Sequence, residues 1–391
     1  MTHPGGGRLG DVVATRHVIV CCGTGGVGKT TLSAALAVEG ARRGRRVVVV
    51  TIDPAKRLAD ALGVSALGNE PVTIERARWD PHGRAPAGAE LDALMLDTRS
   101  TFDGLVHRYA AGAEQADRIL ENTFYRNLAG ALSGTQEYMA AERLHELHEE
   151  GGYDLIVVDT PPSRHALDFL DAPSRLARLL DNRVFQLLMA PTRASLRVAT
   201  AAAHGLLRAT GHVVGSEVVD DVIAFFRAFE GMEQGFRERA AAVQALLAER
   251  TTAFVLVSTP SRDAADEAAH FAARLAERAM TVDVLVVNRV HPRFDAGIGA
   301  GDARARARRL RSGPRSVEGE APAARLADAY ETLAGLQALS GRERARITAL
   351  ADQVGAAALM TVPALAHDVH DLAGLAEIDA HLFGPGSDPA G

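Results

Sequence analysis

Seven short runs of apolar, largely β-branched residues punctuate the chain, at 17–22, 45–52, 91–97, 154–159, 253–259, 282–288 and 356–362. Several, such as Val47-Val-Val-Val50 and Leu155-Ile-Val-Val158, are continuous rather than alternating. A half-solvated strand alternates apolar and polar positions, whereas a continuous run suits a strand buried on both faces. Segments of helix length, rich in alanine and leucine, separate the runs. Strands alternating with helices predict βαβ units, hence an α/β fold with a doubly wound, mostly parallel sheet. The pattern predicts one domain over 15–383, with a mostly helical insertion over about 163–250. Residues 295–323, rich in Gly, Ala, Arg and Pro, are expected to form a flexible surface excursion. Residues 1–14 are expected to be a disordered tail and 384–391 a loose one. No internal repeat is present.

The first run leads into Gly23-Thr-Gly-Gly-Val-Gly-Lys-Thr-Thr31, and Leu32-Ser-Ala-Ala-Leu-Ala-Val38 follows as a helix former's sequence. Gly23, Gly28, Lys29 and Thr30 complete the pattern G-x-x-x-x-G-K-[ST] in the order strand, glycine loop, helix. In that context successive backbone N–H groups of Gly23, Thr24, Gly25, Gly26, Val27, Gly28, Lys29, Thr30 and Thr31 cradle a phosphate chain. The helix N-terminus adds partial positive charge. Lys29 is expected at the β- and γ-phosphates and Thr30 at Mg²⁺. The pattern occurs once, so the chain is not a tandem pair of such sites.

Composition narrows the class. The 391 residues are 47% hydrophobic and 24% charged, ordinary for a globular protein. A net charge of −6 gives no electrostatic reason to expect nucleic acid or an anionic membrane as partner. No apolar run reaches the ~18 residues needed to span a bilayer, and the first residues lack a signal-like apolar segment. The two cysteines, Cys21 and Cys22, are adjacent in a predicted strand and face opposite ways. A disulfide is not expected, and a cytoplasmic location fits. Of 43 basic residues only Lys29 and Lys56 are lysine. A lysine that survives such a bias toward arginine marks a place where a compact point charge on a flexible stem is useful.

Two further strands end in aspartate. The second run ends Thr51-Ile-Asp53-Pro54-Ala55-Lys56-Arg57, and the fourth ends Leu155-Ile-Val-Val-Asp159-Thr160-Pro161-Pro162-Ser163. The carboxyl ends of parallel strands are where ligands bind in such sheets. Asp159 fits a Mg²⁺ ligand acting through water. Asp53 fits either a helix cap before Pro54 or a group that acts on the reacting phosphate.

These motifs together resemble the ArsA family, which includes arsenite-pump ATPases and tail-anchored-protein targeting ATPases. The likeness runs from about 17 to 383 and is closest to an actinobacterial branch with a single glycine loop. It implies ATP and Mg²⁺ as ligands and a nucleotide-closed dimer as the working form. It implies that Asp53, in an Asp-Pro-Ala-Lys that resembles the family's Asp-Pro-Ala-His, orients or deprotonates the attacking water. It implies that Asn288 reads adenine and Pro363 packs on the base. Ser133-Gly134-Thr135-Gln136-Glu137 resembles the family's Pro-Gly-x-x-Glu dimer segment. After Asp159 the chain keeps Thr160, Pro162 and His165 of the family's second switch and departs at Pro161, Ser163 and Arg164. Arg164 fits a γ-phosphate sensor or a surface salt bridge.

One departure bears on mechanism. The family's lysine at the second loop position, which crosses a dimer interface to the partner's phosphates, is Thr24 here. Two readings follow. Lys56 partly replaces that charge in a self-sufficient homodimer, or the chain is a subunit with little activity alone that pairs with a paralogue. The alternative for Lys56 is a solvated helix residue. No zinc clamp is expected, because the chain has no C-x-x-C pair, and adjacent buried cysteines do not make a metalloid site. His145 and His148, an i, i+3 pair, are expected on a solvated helix face. Phe185-Gln-Leu-Leu-Met189 and Phe225-Phe226-Arg-Ala-Phe229 suit either a groove for an amphipathic or membrane-protein helix client or simple internal packing. Any membrane association would run through a partner.

Overall fold

The computed structural model describes residues 8–53, 56–123, 125, 135–161, 163–181, 221, 224–225, 228–229, 231–294, 297–312 and 320–384. Eight strands form one sheet in the order β3-β4-β2-β5-β1-β6-β7-β8. They are β1 (Val18–Gly23), β2 (Arg46–Thr51), β3 (Val72–Thr73), β4 (Glu90–Met95), β5 (Leu155–Asp159), β6 (Thr252–Ser258), β7 (Val282–Val290) and β8 (Ala358–Pro363). All pairings are parallel except β3 with β4. The expected α/β architecture is therefore the observed one.

The strand that feeds the glycine loop lies at the centre, between β5 and β6. Its residues divide between two cores. Val18, Val20 and Cys22 face one apolar layer, and Ile19 and Cys21 face the other. This is why the run is continuously apolar, and why both cysteines are free and buried. The first layer holds α5 (Thr98–Tyr109), α7 (Thr135–Glu150), α8 (Ser163–Leu180), α9 (Glu233–Ala248) and α10 (Arg262–Ala276). The second holds α1 (Arg8–Thr15), α2 (Lys29–Arg42), α3 (Arg57–Leu62) and α13 (Leu372–Phe383). Short helices Arg76–Trp79 and Ala113–Leu120 are α4 and α6.

Three sequence expectations give way. Residues 8–14 are not a disordered tail but most of α1. Its Leu9, Val12 and Val13 recur at helical spacing and are buried in the second core, and Gly10 O accepts a 3.0 Å hydrogen bond from Arg43 Nη1. Most of the described part of 295–323 is helix rather than loop. Ala300–Ser312 forms α11, which packs on the long α12 (Glu320–Val354) through fully buried Ala303 and Ala307. Four residues apart, those alanines make a narrow seam. The arginines between them face solvent, and Arg311 pairs with Asp328 (2.8 Å) and Glu331 (3.1 Å). The run 91–97 stops at Met95 as a strand because Asp97 caps α5, accepting from Arg99 N and Ser100 N. The edge strand β3 is two exposed residues long and leaves no run to detect.

The described parts of the insertion, α8 and α9, are helical as expected. Phe185–Met189 and Phe226 lie outside the described residues. Phe225 and Phe229 are buried in the first core, their rings 5.6 Å apart, and Phe229 meets Phe236 at 5.1 Å. Among the described residues no helix is long and apolar enough to cross a membrane.

Candidate functional site

The glycine loop turns at the carboxyl edge of the sheet because two glycines hold positions closed to any side chain. Gly23 has φ 152°, and a Cβ there would lie 2.2 Å from Val257 O. Gly28, at φ 99°, opens α2, and a Cβ there would meet Asn288 Nδ2 at 2.4 Å. No side chain caps the start of α2, and its first turn carries no acid. Its first N–H groups are thus left for an anion.

Lys29 is buried at 8% exposure, with its Nζ donating to Thr24 O at 2.8 Å across the loop. Burial lowers its pKa, opposed by the charge of Asp159. Thr24 is itself buried. Thr30 Oγ1 donates to Asp159 Oδ2 at 2.7 Å, and Thr51 Oγ1 donates to the same oxygen at 3.0 Å. Thr51 Oγ1 also accepts from Asp53 N at 3.2 Å. One hydroxyl therefore ties the ends of β2 and β5 together. Asp159 is 1% exposed, and burial pushes its carboxyl up to about 6. Its Oδ1 has no hydrogen-bond partner among the described residues. A buried carboxylate oxygen left open beside a threonine hydroxyl fits a hard cation that keeps most of its water.

Around these groups lies a cavity of about 610 Å³. Its walls include Gly25, Gly26, Gly28, Lys29, Thr30, Thr31 and Asp53 on one side. On the other stand Asn288, Arg289, His291 and the segment Pro363–Leu365 with His367 and His370. The volume lies in the range of cofactor clefts, about 300–1,000 Å³. The position is where a parallel sheet binds ligands.

The structure thus brings most of the sequence-marked residues to one cavity. Asn288 Nδ2 donates to Val27 O at 2.8 Å, which docks β7 on the loop. Lys56 stands apart from them: it is exposed at the start of α3 and is not a wall of the cavity. Its neighbour Arg57 is one, 3.4 Å from Asp53 Oδ2. Pro54, Ala55, Pro162, Ser133 and Gly134 lie outside the described residues, as do the side chains of Arg164 and His165. His145 is not on a solvated face. It is buried, its pKa lowered by burial, beside the Arg239–Glu142 ion pair.

Sequence reasoning missed Thr51, Arg57, Arg289 and the pair His291–Glu343, whose Nδ1 and Oε1 are 2.8 Å apart. Only Thr51 left a trace, as a polar residue ending an apolar strand.

The family profile described as anion-transporting ATPase matches residues 16–300, from the start of β1 to the start of α11. The chain belongs to the anion-transporting ATPase family. Relatives include an uncharacterized protein of Streptomyces coelicolor, 31% identical over 278 residues, covering 71% of this chain and 63% of that one. ATPase GET3 of Malassezia globosa is 33% identical over 162 residues, 41% of this chain and 44% of the relative. ATPase ARSA1 of Chlamydomonas reinhardtii is 29% identical over 297 residues, 71% and 35%. The chain thus spans between about a third and two thirds of the length of these relatives.

Proposed function

We propose that the chain binds ATP with Mg²⁺ in the cavity above the glycine loop, hydrolyses it, and works as a dimeric switch that closes on nucleotide. The observation that carries this reading is the contact between Thr30 and Asp159, 2.7 Å apart, with Lys29 in the same cavity. Mg²⁺ held by Thr30, with Asp159 behind it through water, would offset charge on the phosphate chain. The backbone N–H groups of Gly25–Thr31 and the start of α2 hold the phosphates. Lys29 gives up its internal bond to Thr24 O and turns to the phosphate oxygens. Asp53 orients the attacking water and accepts its proton, and the Thr51 hydroxyl fixes the backbone that carries it. Asn288 and Pro363 receive the base.

Lys56 enters this reading as a cation that reaches the phosphates of a second copy, since it is exposed and is not a wall of its own cavity. The switch would act on a client, an amphipathic or membrane-protein helix in this reading. Thr24 favours a second reading, in which the chain hydrolyses little alone and a paralogue supplies the missing charge. Calorimetric titration with MgATP tests the shared premise. Wild type is expected to bind and Lys29→Ala to lose at least tenfold in affinity, about 1.4 kcal/mol. Absence of binding by the wild type would refute both readings.

A further inference from the structure

The end of β7 is built irregularly, and the irregularity points one arginine at the glycine loop. The β7–β8 register breaks between Val287 and Val290, which takes Asn288 and Arg289 out of the ladder. Bulges of this kind bend a strand and re-aim a side chain. Arg289 has φ 61°, the left-handed region that a branched-out side chain enters at a cost of ~1–2 kcal/mol. Two hydrogen bonds hold it there. Asn288 Oδ1 accepts from Arg289 N at 2.8 Å, and Asn288 Nδ2 donates to Val27 O at 2.8 Å. The strained residue is thereby clamped to the loop itself.

Its side chain forms part of the wall of the nucleotide cavity. It also lines the adjoining groove on the loop's other flank, together with Thr24, Gly25, Gly26 and Val27 and with Asp263 and Glu267. Arg289 therefore straddles the loop tip. The other cations at the cavity are already engaged: Lys29 donates to Thr24 O, and Arg57 pairs with Asp53. The Arg289 guanidinium makes no hydrogen bond or ion pair with any described residue, and it is exposed. A strained backbone that presents an uncommitted planar fork beside backbone N–H groups is arranged for an oxyanion.

We propose that Arg289 contacts the terminal phosphate of the bound nucleoside triphosphate from within the same chain, and so distinguishes triphosphate from diphosphate. This rests on the reading of the cavity as an ATP site. It supplies from β7 a charge at the loop tip that Thr24 does not.

The test is Arg289→Gly, with Arg289→Lys beside it, titrated with ATP and with ADP. Glycine accepts φ 61° freely, so the ligand-free melting temperature is expected to hold or rise, which separates charge from folding. ATP affinity is expected to fall about tenfold or more, on the scale of one charge-assisted contact. ADP affinity should stay within about twofold on the same scale, and lysine should recover part of the loss. Equal losses for ATP and ADP, or unchanged ATP affinity, would overturn the proposal while leaving the ATP site standing. A wild type that binds neither nucleotide would remove the site and the proposal together.

Discussion

Thr30 Oγ1 and Asp159 Oδ2 lie 2.7 Å apart, although one residue opens a helix and the other ends a strand 129 positions later. The parallel register of β1 on β5, which pairs Cys21 with Asp159, makes this meeting possible. Removing the hydroxyl in Thr30→Ala is expected to lower Mg-dependent phosphate release about a hundredfold or more, the scale of losing one charge-stabilising contact. Thr30→Ser should retain most of it. Steady-state phosphate release checks this, and an active Thr30→Ala would show that the hydroxyl has no part in the site.

Asp159 sets a pH dependence in the ligand-free chain. Burial raises its carboxyl from 3.8 to about 6, so the folded state favours the protonated form. Between those values the folded chain holds more proton than the unfolded one, and stability falls as pH rises through the window. Above about pH 6 the penalty of the buried charge is complete, on the order of 3 kcal/mol. Asp159→Asn carries no such charge. Its melting temperature is expected to approach that of wild type near pH 4 and to exceed it above pH 6, even as phosphate release is lost. A difference that does not change with pH would contradict this cause.

The loop glycines should differ in kind. At Gly23 a methyl would strike backbone, Val257 O at 2.2 Å, so Gly23→Ala is expected to cost more than about 4 kcal/mol or prevent folding. Gly26 has φ 77° but open space around a Cβ, so Gly26→Ala should cost only ~1–2 kcal/mol of backbone strain. Thermal or urea denaturation of the two variants measures the contrast, and equal costs would contradict the geometry.

Lys56→Ala is expected to leave Mg-free ATP binding within about twofold on the affinity scale. Phosphate release should fall at least tenfold; a cation reaching a transferring phosphoryl group can supply ~10³ or more. Unchanged phosphate release would make Lys56 a solvated residue of α3.

What the sequence disclosed was what is local. The glycine loop, its flanking strand and helix, and the aspartates ending β2 and β5 are each written within about ten consecutive residues. The continuous valine runs announced a sheet covered on both faces. Contacts made by the fold were not visible. Arg289 is one arginine among 41 until the β7 bulge turns it to the loop. Glu343 reaches His291, 52 positions earlier, only because the long α12 packs beside β7. Composition misled where it stood in for periodicity: the arginine-rich 300–312 hid the seam of Ala303 and Ala307, and the glycines ahead of α1 hid Leu9, Val12 and Val13.

The central claim, a self-sufficient ATPase switch, is tested most directly by phosphate release from MgATP across a wide range of protein concentration. Activity per molecule should rise with concentration and level off as dimers fill, and Lys29→Ala should abolish it. ATP binding without phosphate at any concentration would contradict that claim and leave the chain as half of a heterodimer.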